Sequence, residues 1–217
     1  MRLLDKLYEQ ATQGIAMVSP PIEETASDYL RKNPNIDTAA KKFINYQIAK
    51  CTTSGFLAGL GGIIMLPVTI PANVSSVLYV QMRMISGLAY MGGYDTGSDQ
   101  VQTLVYACLA GISVDQILKQ AGIKFGNKFA MAMVKKIPGE VLAKINQKVG
   151  FRFITKFGTK GIINLGKAVP AVGGVIGGDF DFIETKAIAS RAYGLFIKGD
   201  LTASSDGADD IQIVKEV

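Results

Sequence analysis

The chain has 217 residues, of which 48% are hydrophobic and 19% charged, and its formal net charge is +5. This length suits one domain with a substantial core, and the composition lies between that of a water-soluble globule and that of a membrane-associated protein. Histidine is absent, which excludes Ser/His/Asp and Cys/His catalytic arrangements and histidine-based metal sites.

Three amphipathic helices are predicted in the first part of the chain. The first follows a 3.6-residue apolar period from Leu3 to about Met17. The second begins at Pro21, a residue suited to a first helical turn, and the third begins near Asp37.

Two features predict a cytoplasmic location. Cys51 and Cys108 both lie in apolar, helix-like surroundings, where a reduced and buried thiol is the ordinary state. Residues 1–14 lack the apolar core of a secretory signal, because charges interrupt them at Arg2, Asp5, Lys6 and Glu9.

The chain then enters a long uncharged stretch. Residues 51–82, CTTSGFLAGLGGIIMLPVTIPANVSSVLYVQM, contain no Asp, Glu, Lys or Arg. Length alone would let them cross a bilayer, but Pro67 and Pro71 each remove an amide donor and the glycines lower helix propensity. We predict two shorter helical pieces that meet at a break from Leu66 to Pro71 and form a buried hairpin.

The helix that follows Pro71 continues to Gly92-Gly93 and places Arg83 beside two phenols, Tyr79 and Tyr90. We interpret Arg83 as a solvated or locally paired charge on a core helix. A ligand-binding role is the alternative.

The next two helices are predicted from their caps. Asp95 and Ser98 precede a nearly apolar helix from Gln100 to Ala110. Ser113 with Gln116 three positions later has the pattern of a capping box, which predicts another helix running toward Ile137.

Residues 119–167 contain eleven basic residues and one acid, Glu140. An apolar i,i+4 ladder runs from Val141 to Phe157 with a basic ladder beside it, so the spacing predicts a basic amphipathic helix. Such a helix can dock on the core with its lysines in water or lie on an anionic bilayer, where each basic residue contributes about 1 kcal/mol. The candidate membrane or anion surface comprises Lys124, Lys128, Lys135, Lys144, Lys148, Arg152 and Lys156.

Nucleic acid is the weakest of the partners considered for this basic segment. Base-stacking aromatic residues and a recognisable reading motif are both missing. An anionic membrane surface or a membrane protein fits the segment better, and a homo-oligomer remains open.

A second glycine-rich patch precedes the last predicted helix. Its glycines lie four apart, as do those of the first patch, and this spacing would let two helices approach closely. We predict that the patches pack against each other as two central helical hairpins, through Gly55, Gly59, Gly62, Gly173, Gly174, Gly177 and Gly178. The last helix runs to about Ile197, and the acidic tail, residues 199–217, is expected to be mobile.

The best catalytic constellation available consists of carboxylates. Asp179, Asp181 and Glu184, joined by Asp95, are oxygen ligands of the kind that suits Mg²⁺, Mn²⁺ or Ca²⁺. The alternative is that acids in a first helical turn satisfy free amides and the helix dipole. The glycine-rich runs GLGG and GGVIGG match neither a P-loop nor a dinucleotide fingerprint, so no cofactor is predicted.

The chain resembles the EcsC family of bacterial proteins. The resemblance covers most of residues 40–198 and rests on TSGFLAGLGGIIMLPVTIPANVSSVLYVQMRMISGLAYMGGYD (Thr53 to Asp95) and LGKAVPAVGGVIGGDFDFIETKAIASRAYGLF (Leu165 to Phe196). It implies an α-helical, membrane-associated protein near the bacterial envelope, and it names no activity. The polar residues of the matching motifs are Arg83, Asp95, Asp181 and Thr185. Where many members have Asp after Ile-Pro, this chain has Ala72-Asn73, which puts in doubt any acid-dependent function there.

Together these patterns predict an all-α single domain, residues 1–198, with two glycine-rich central hairpins and a basic amphipathic helix pair. The leading hypothesis is a non-enzymatic, membrane-associated binding or accessory protein, peripheral to the cytoplasmic face of the inner membrane. One alternative is a carboxylate-metal-dependent hydrolase that uses Asp179, Asp181 and Glu184. Another is a toxin or effector that inserts into membranes.

Overall fold

A computed structural model describes residues 2–52, 72–123, 131–157 and 175–200. Within these ranges the chain forms α-helices and no β-strand, and it folds as the predicted all-α single domain. The helices are α1 (Arg2–Gln13), α2 (Ile22–Lys32), α3 (Ile36–Thr52), α4 (Ala72–Met91), α5 (Asp99–Ala110), α6 (Val114–Gln120), α7 (Met131–Val134), α8 (Gly139–Phe157) and α9 (Val175–Tyr193). A π-helical turn, Gly194–Lys198, continues α9.

The first two helices confirm the predicted amphipathic pattern. Leu4, Leu7 and Ala11 of α1 are buried, as are Ile22 and Ala26 of α2. These positions recur every three or four residues, which places them on one face of each helix. Both helices lay that face against α4.

Helix α4 is the centre of the domain. It contacts α1, α2, α3, α5 and α9, and every side chain from Ser75 to Ala89 is buried. A helix surrounded on all sides has no solvent face to fill with charge, which explains why Arg83 is the one charged residue in its sequence.

Polar side chains within α4 reach the neighbouring helices by hydrogen bonds. Gln81 donates from Nε2 to Thr185 Oγ1 at 2.9 Å, which joins α4 to α9, and both residues are buried. At the end of α9, Lys198 and Tyr193 both donate to the Asp37 carboxylate at the start of α3. The hydrogen bond from Lys198, followed by the one from Tyr193, lowers the pKa of Asp37.

Both helices predicted from their caps begin where expected, but the second is shorter than predicted. Ser98 accepts a hydrogen bond from the Val101 amide and begins α5 as expected. Ser113 is the N-cap residue of α6, but its side chain accepts no hydrogen bond from the helix amides, and its hydroxyl donates to Asp115 Oδ1. The helix that follows ends at Gln120, before Gly122 at φ 73°, so it does not run to Ile137.

Helix α8 confirms the predicted apolar ladder. Val141, Ile145 and Val149 are buried, and Phe153 packs half-buried against the core. This face rests on α5 and α6, and Asn146 donates to Thr103 Oγ1 of α5 at 3.3 Å.

The predicted glycine-rich hairpins lie largely outside the described residues. Gly55, Gly59, Gly62, Gly173 and Gly174 fall in the undescribed ranges, as do the predicted break at residues 66–71 and the acidic tail beyond residue 200. Gly177 and Gly178 belong to the backbone of α9. The packing of one glycine patch on the other therefore stays a prediction.

The close approach of α4 and the π-helical turn can be tested at Gly92. A Cβ at this position would lie 2.1 Å from the Phe196 carbonyl oxygen, so Gly92→Ala must push one backbone from the other. We expect Gly92→Ala to lower the free energy of unfolding by about 2 kcal/mol, measured by urea denaturation. The matched change, Gly150→Ala in α8, meets nothing within 4 Å and should raise it by about 0.5–1 kcal/mol. Equal effects of both changes would contradict the close approach.

Candidate functional site

The outer face of α8 carries exposed basic residues. Lys144, Lys148 and Arg152 are all exposed, whereas the ladder that includes Val141 and Ile145 is buried. The helical period thus separates the two predicted ladders as expected. Lys135, in the turn after α7, is also exposed. Lys124, Lys128 and the side chain of Lys156 lie outside the described residues.

Two large apolar side chains share that outer face. Phe151 and Ile154 are each 71% exposed, and their i,i+3 spacing makes them neighbours on the helix surface. Phe151 also lies three positions after Lys148 and seven after Lys144, so it continues the row of lysines. The sequence interpretation missed these residues, although their offset from the buried ladder is visible in the spacing.

A small pocket lies where α8 meets the ends of α5 and α9. Its volume is about 180 Å³, and its charged lining consists of Arg152 from α8 with Glu184 and Arg191 from α9. The apolar wall is formed by Leu78, Leu109, Ala110 and Phe153. The structure therefore places Arg152 at the pocket as well as at the solvent side of α8.

Arg191 is held in this pocket by the end of α5. Its Nη1 donates to the Cys108 carbonyl oxygen at 2.9 Å. Gly111 ends α5 at φ 65°, where a Cβ would lie 3.3 Å from Arg191 Nη1. Desolvation lowers the pKa of Arg191, and the positive charge of Arg152 acts in the same direction. The guanidinium groups of Arg152 and Arg191 thus meet in one small space.

The predicted cysteine environments are confirmed. Cys51 and Cys108 are free thiols and both are buried. Burial raises the pKa of the Cys108 thiol to about 12, against a smaller opposing effect of Arg191. A thiol in this state is protonated and inert as a nucleophile.

We therefore expect neither cysteine to react with a thiol-specific disulfide reagent in the native protein at pH 8. Both should react after unfolding in guanidinium chloride, which serves as the control because it exposes the same side chains. The measurement is the absorbance of the released thiolate. Rapid stoichiometric labelling of Cys108 in the folded chain would contradict its burial.

Arg83 is a buried structural residue. It is 3% exposed, so the solvated form of the prediction is wrong. Its guanidinium donates to the carbonyl oxygens of Ala11 at 3.0 Å and Pro20 at 2.5 Å, and to Thr25 Oγ1 at 2.9 Å. These bonds tie the end of α1 and the start of α2 to the central helix, and they occupy donors that a ligand would need.

Only one of the two expected phenols accompanies Arg83. The Tyr79 hydroxyl interacts with Arg83 and lies 2.5 Å from Ser19 Oγ. Tyr90 instead accepts a hydrogen bond from Ser27 Oγ at 3.1 Å.

We expect Arg83→Ala to destabilise the protein by about 3 kcal/mol, because it leaves buried carbonyl groups unpaired and opens a cavity. Urea denaturation measures the effect. Arg31 is the matched control, since it is 72% exposed and pairs with Asp28 at the surface, and Arg31→Ala should cost less than about 0.5 kcal/mol. Similar costs for the two changes would refute the anchoring role of Arg83.

The other polar residues of the EcsC-like motifs either have structural partners or lie outside the described residues. Asp95 is exposed and accepts a hydrogen bond from the Gly97 amide at 2.9 Å, which stabilises a turn. Thr185 bonds Gln81 in the core. The side chains of Asp179 and Asp181 lie outside the described residues. Among the side chains that are described, no three His, Cys, Asp or Glu residues come together as metal ligands, so the carboxylate-metal hypothesis gains no support.

Comparisons with known proteins yield no relative. No family model matches the chain, and neither a curated protein nor a solved structure matches it. The EcsC resemblance therefore stays a prediction. None of the helices in the described part combines the length and apolarity required to cross a membrane.

Proposed function

We propose that this chain is a peripheral membrane-binding accessory protein that attaches to anionic bilayers through the outer face of α8. The observation that carries the proposal is the exposure of Phe151 and Ile154 beside Lys144 and Lys148. An apolar centre flanked by lysines is the pattern of helices that lie in the interface of a bilayer.

The magnitudes favour a reversible, salt-sensitive attachment. Complete burial of a Phe or Ile side chain contributes about 1.5–3 kcal/mol, and insertion to the depth of the headgroups would yield part of that. Each lysine close to an anionic surface contributes about 1 kcal/mol. Simple docking of α8 on the core already uses its other face, through Val141, Ile145 and Val149, and leaves Phe151 and Ile154 exposed on the described surface.

The same proposal is supported by the basic excess of residues 119–167 and by the EcsC resemblance, which implies membrane association near the bacterial envelope. On this proposal the membrane is the inner membrane, approached from the cytoplasmic face. The protein would act by binding rather than by catalysis, with an anionic lipid surface or a membrane protein embedded in it as the partner.

Vesicle sedimentation tests the attachment. The protein should bind vesicles that contain phosphatidylglycerol, fail to bind vesicles of phosphatidylcholine alone, and dissociate as salt screens the lysines. Lys144→Gln/Lys148→Gln should cost about 2 kcal/mol, which is roughly thirtyfold in affinity. Phe151→Gln/Ile154→Gln should weaken binding to the same vesicles and leave its salt dependence unchanged.

Two control variants separate this surface from net charge and general exposure. Lys41→Gln/Lys42→Gln removes the same charge from exposed positions on α3, and Met17→Gln removes a fully exposed apolar side chain elsewhere. Both should bind as the unchanged protein does. Absence of binding at low salt, or equal losses in the controls, would refute the proposal. Release of a trapped dye on binding would instead favour the membrane-inserting alternative.

A further inference from the structure

The pocket between α8, α5 and α9 has a composition that the membrane-facing surface does not explain. Arg152 and Arg191 come from different helices and line the same pocket of about 180 Å³. Two like charges that converge repel each other, and the repulsion grows as water is excluded. Such an arrangement is stabilised by an anion placed between the cations.

The two guanidiniums retain unused donors within the described chain. Arg191 donates from Nη1 to the Cys108 carbonyl oxygen. The other N–H groups of its guanidinium form no hydrogen bond with the described residues. The backbone carbonyl of Arg152 accepts a hydrogen bond from Thr155 Oγ1, and its guanidinium forms no hydrogen bond with the part of the chain that the structure describes. A planar fork with free donors matches the oxygens of a phosphate group.

Glu184 also lines the pocket, and it already interacts with another residue of the chain. Among the lining residues that the structure describes, one carboxylate stands against two guanidiniums, which gives this part of the pocket a net positive charge. This balance favours an anion over a cation as the occupant.

The volume of the pocket limits the size of the anion that it can enclose. Pockets that enclose drug-sized ligands measure about 300–1,000 Å³, so the pocket is too small to enclose a nucleotide. It can hold a single phosphate group, and the apolar wall of Leu78, Leu109 and Phe153 can pack against the carbon atoms of an ester.

We infer that the pocket between Arg152 and Arg191 binds a phosphate group, as free phosphate or as a phosphomonoester. Arg191, anchored on the end of α5, provides the fixed half of the site. Arg152, at the solvent side of α8, provides the half through which the ligand enters. The inference stands independently of vesicle binding, because free phosphate requires no membrane.

Isothermal titration calorimetry with inorganic phosphate and with glycerol 3-phosphate, in chloride buffer of constant ionic strength, tests the site. We expect saturable binding of one equivalent. Arg152→Gln should weaken it roughly tenfold or more, through the loss of charge-assisted hydrogen bonds. Lys41→Gln is the control, since it removes one exposed charge on α3, outside both proposed binding surfaces, and it should leave the affinity within about twofold. Arg191→Gln should abolish binding, and the Arg152 variant keeps the test independent of any effect of Arg191 on folding.

Vesicles distinguish a lipid headgroup from soluble phosphate. If the source is a lipid, vesicles with phosphatidic acid should bind more tightly than vesicles with phosphatidylglycerol at matched charge, and Arg152→Gln should remove that preference. If the source is soluble, calorimetry shows binding and the preference is absent. No saturable heat with either soluble probe together with no preference for phosphatidic acid, or equal losses of phosphate affinity in Arg152→Gln and Lys41→Gln, would overturn the inference. Binding to phosphatidylglycerol vesicles can persist in that case, so failure here is separable from failure of the membrane proposal.

Discussion

The burial of α4 from Ser75 to Ala89 is the constraint on which the rest of the fold depends. A helix enclosed by neighbours must satisfy every polar side chain that it carries within the protein. Arg83 does so by binding the carbonyl groups of Ala11 and Pro20, and Gln81 does so by donating to Thr185. These bonds are directional whereas apolar packing is not, and they hold the end of α1, the start of α2 and helix α9 against α4.

The candidate sites lie at the periphery of this arrangement. Helix α8 contacts α5 and α6, so one face is used in docking and the opposite face, with Phe151 and Ile154, is left to solvent. The pocket lined by Arg152 and Arg191 lies where the end of α5 meets both α8 and α9. A protein that binds lipid surfaces through α8 could thus contact a headgroup beside the same helix.

Sequence patterns predict the structure correctly where interactions between residues close in sequence determine it. The apolar ladder of α8 and the Ser98 cap of α5 depend on helical period and on one hydroxyl-to-amide bond. The Ser113 pattern predicts the start of α6 correctly, but the predicted capping bond is not formed and the predicted extent of the helix is wrong. A motif of four positions does not record where a helix ends, and α6 ends just before Gly122 at φ 73°.

By itself, the sequence determined the helical class, the buried and exposed faces of α8, and the absence of histidine chemistry, because composition and the 3.6-residue period are local properties. Only the tertiary structure decided that Arg83 is buried and that Arg152 and Arg191 share a pocket. Charged side chains distant in sequence meet because helices pack, and no spacing along the chain records which helices become neighbours. The outward position of Phe151 and Ile154 depends on both. The helical period places them on the face opposite the buried ladder, and the packing of that ladder on α5 leaves their face exposed.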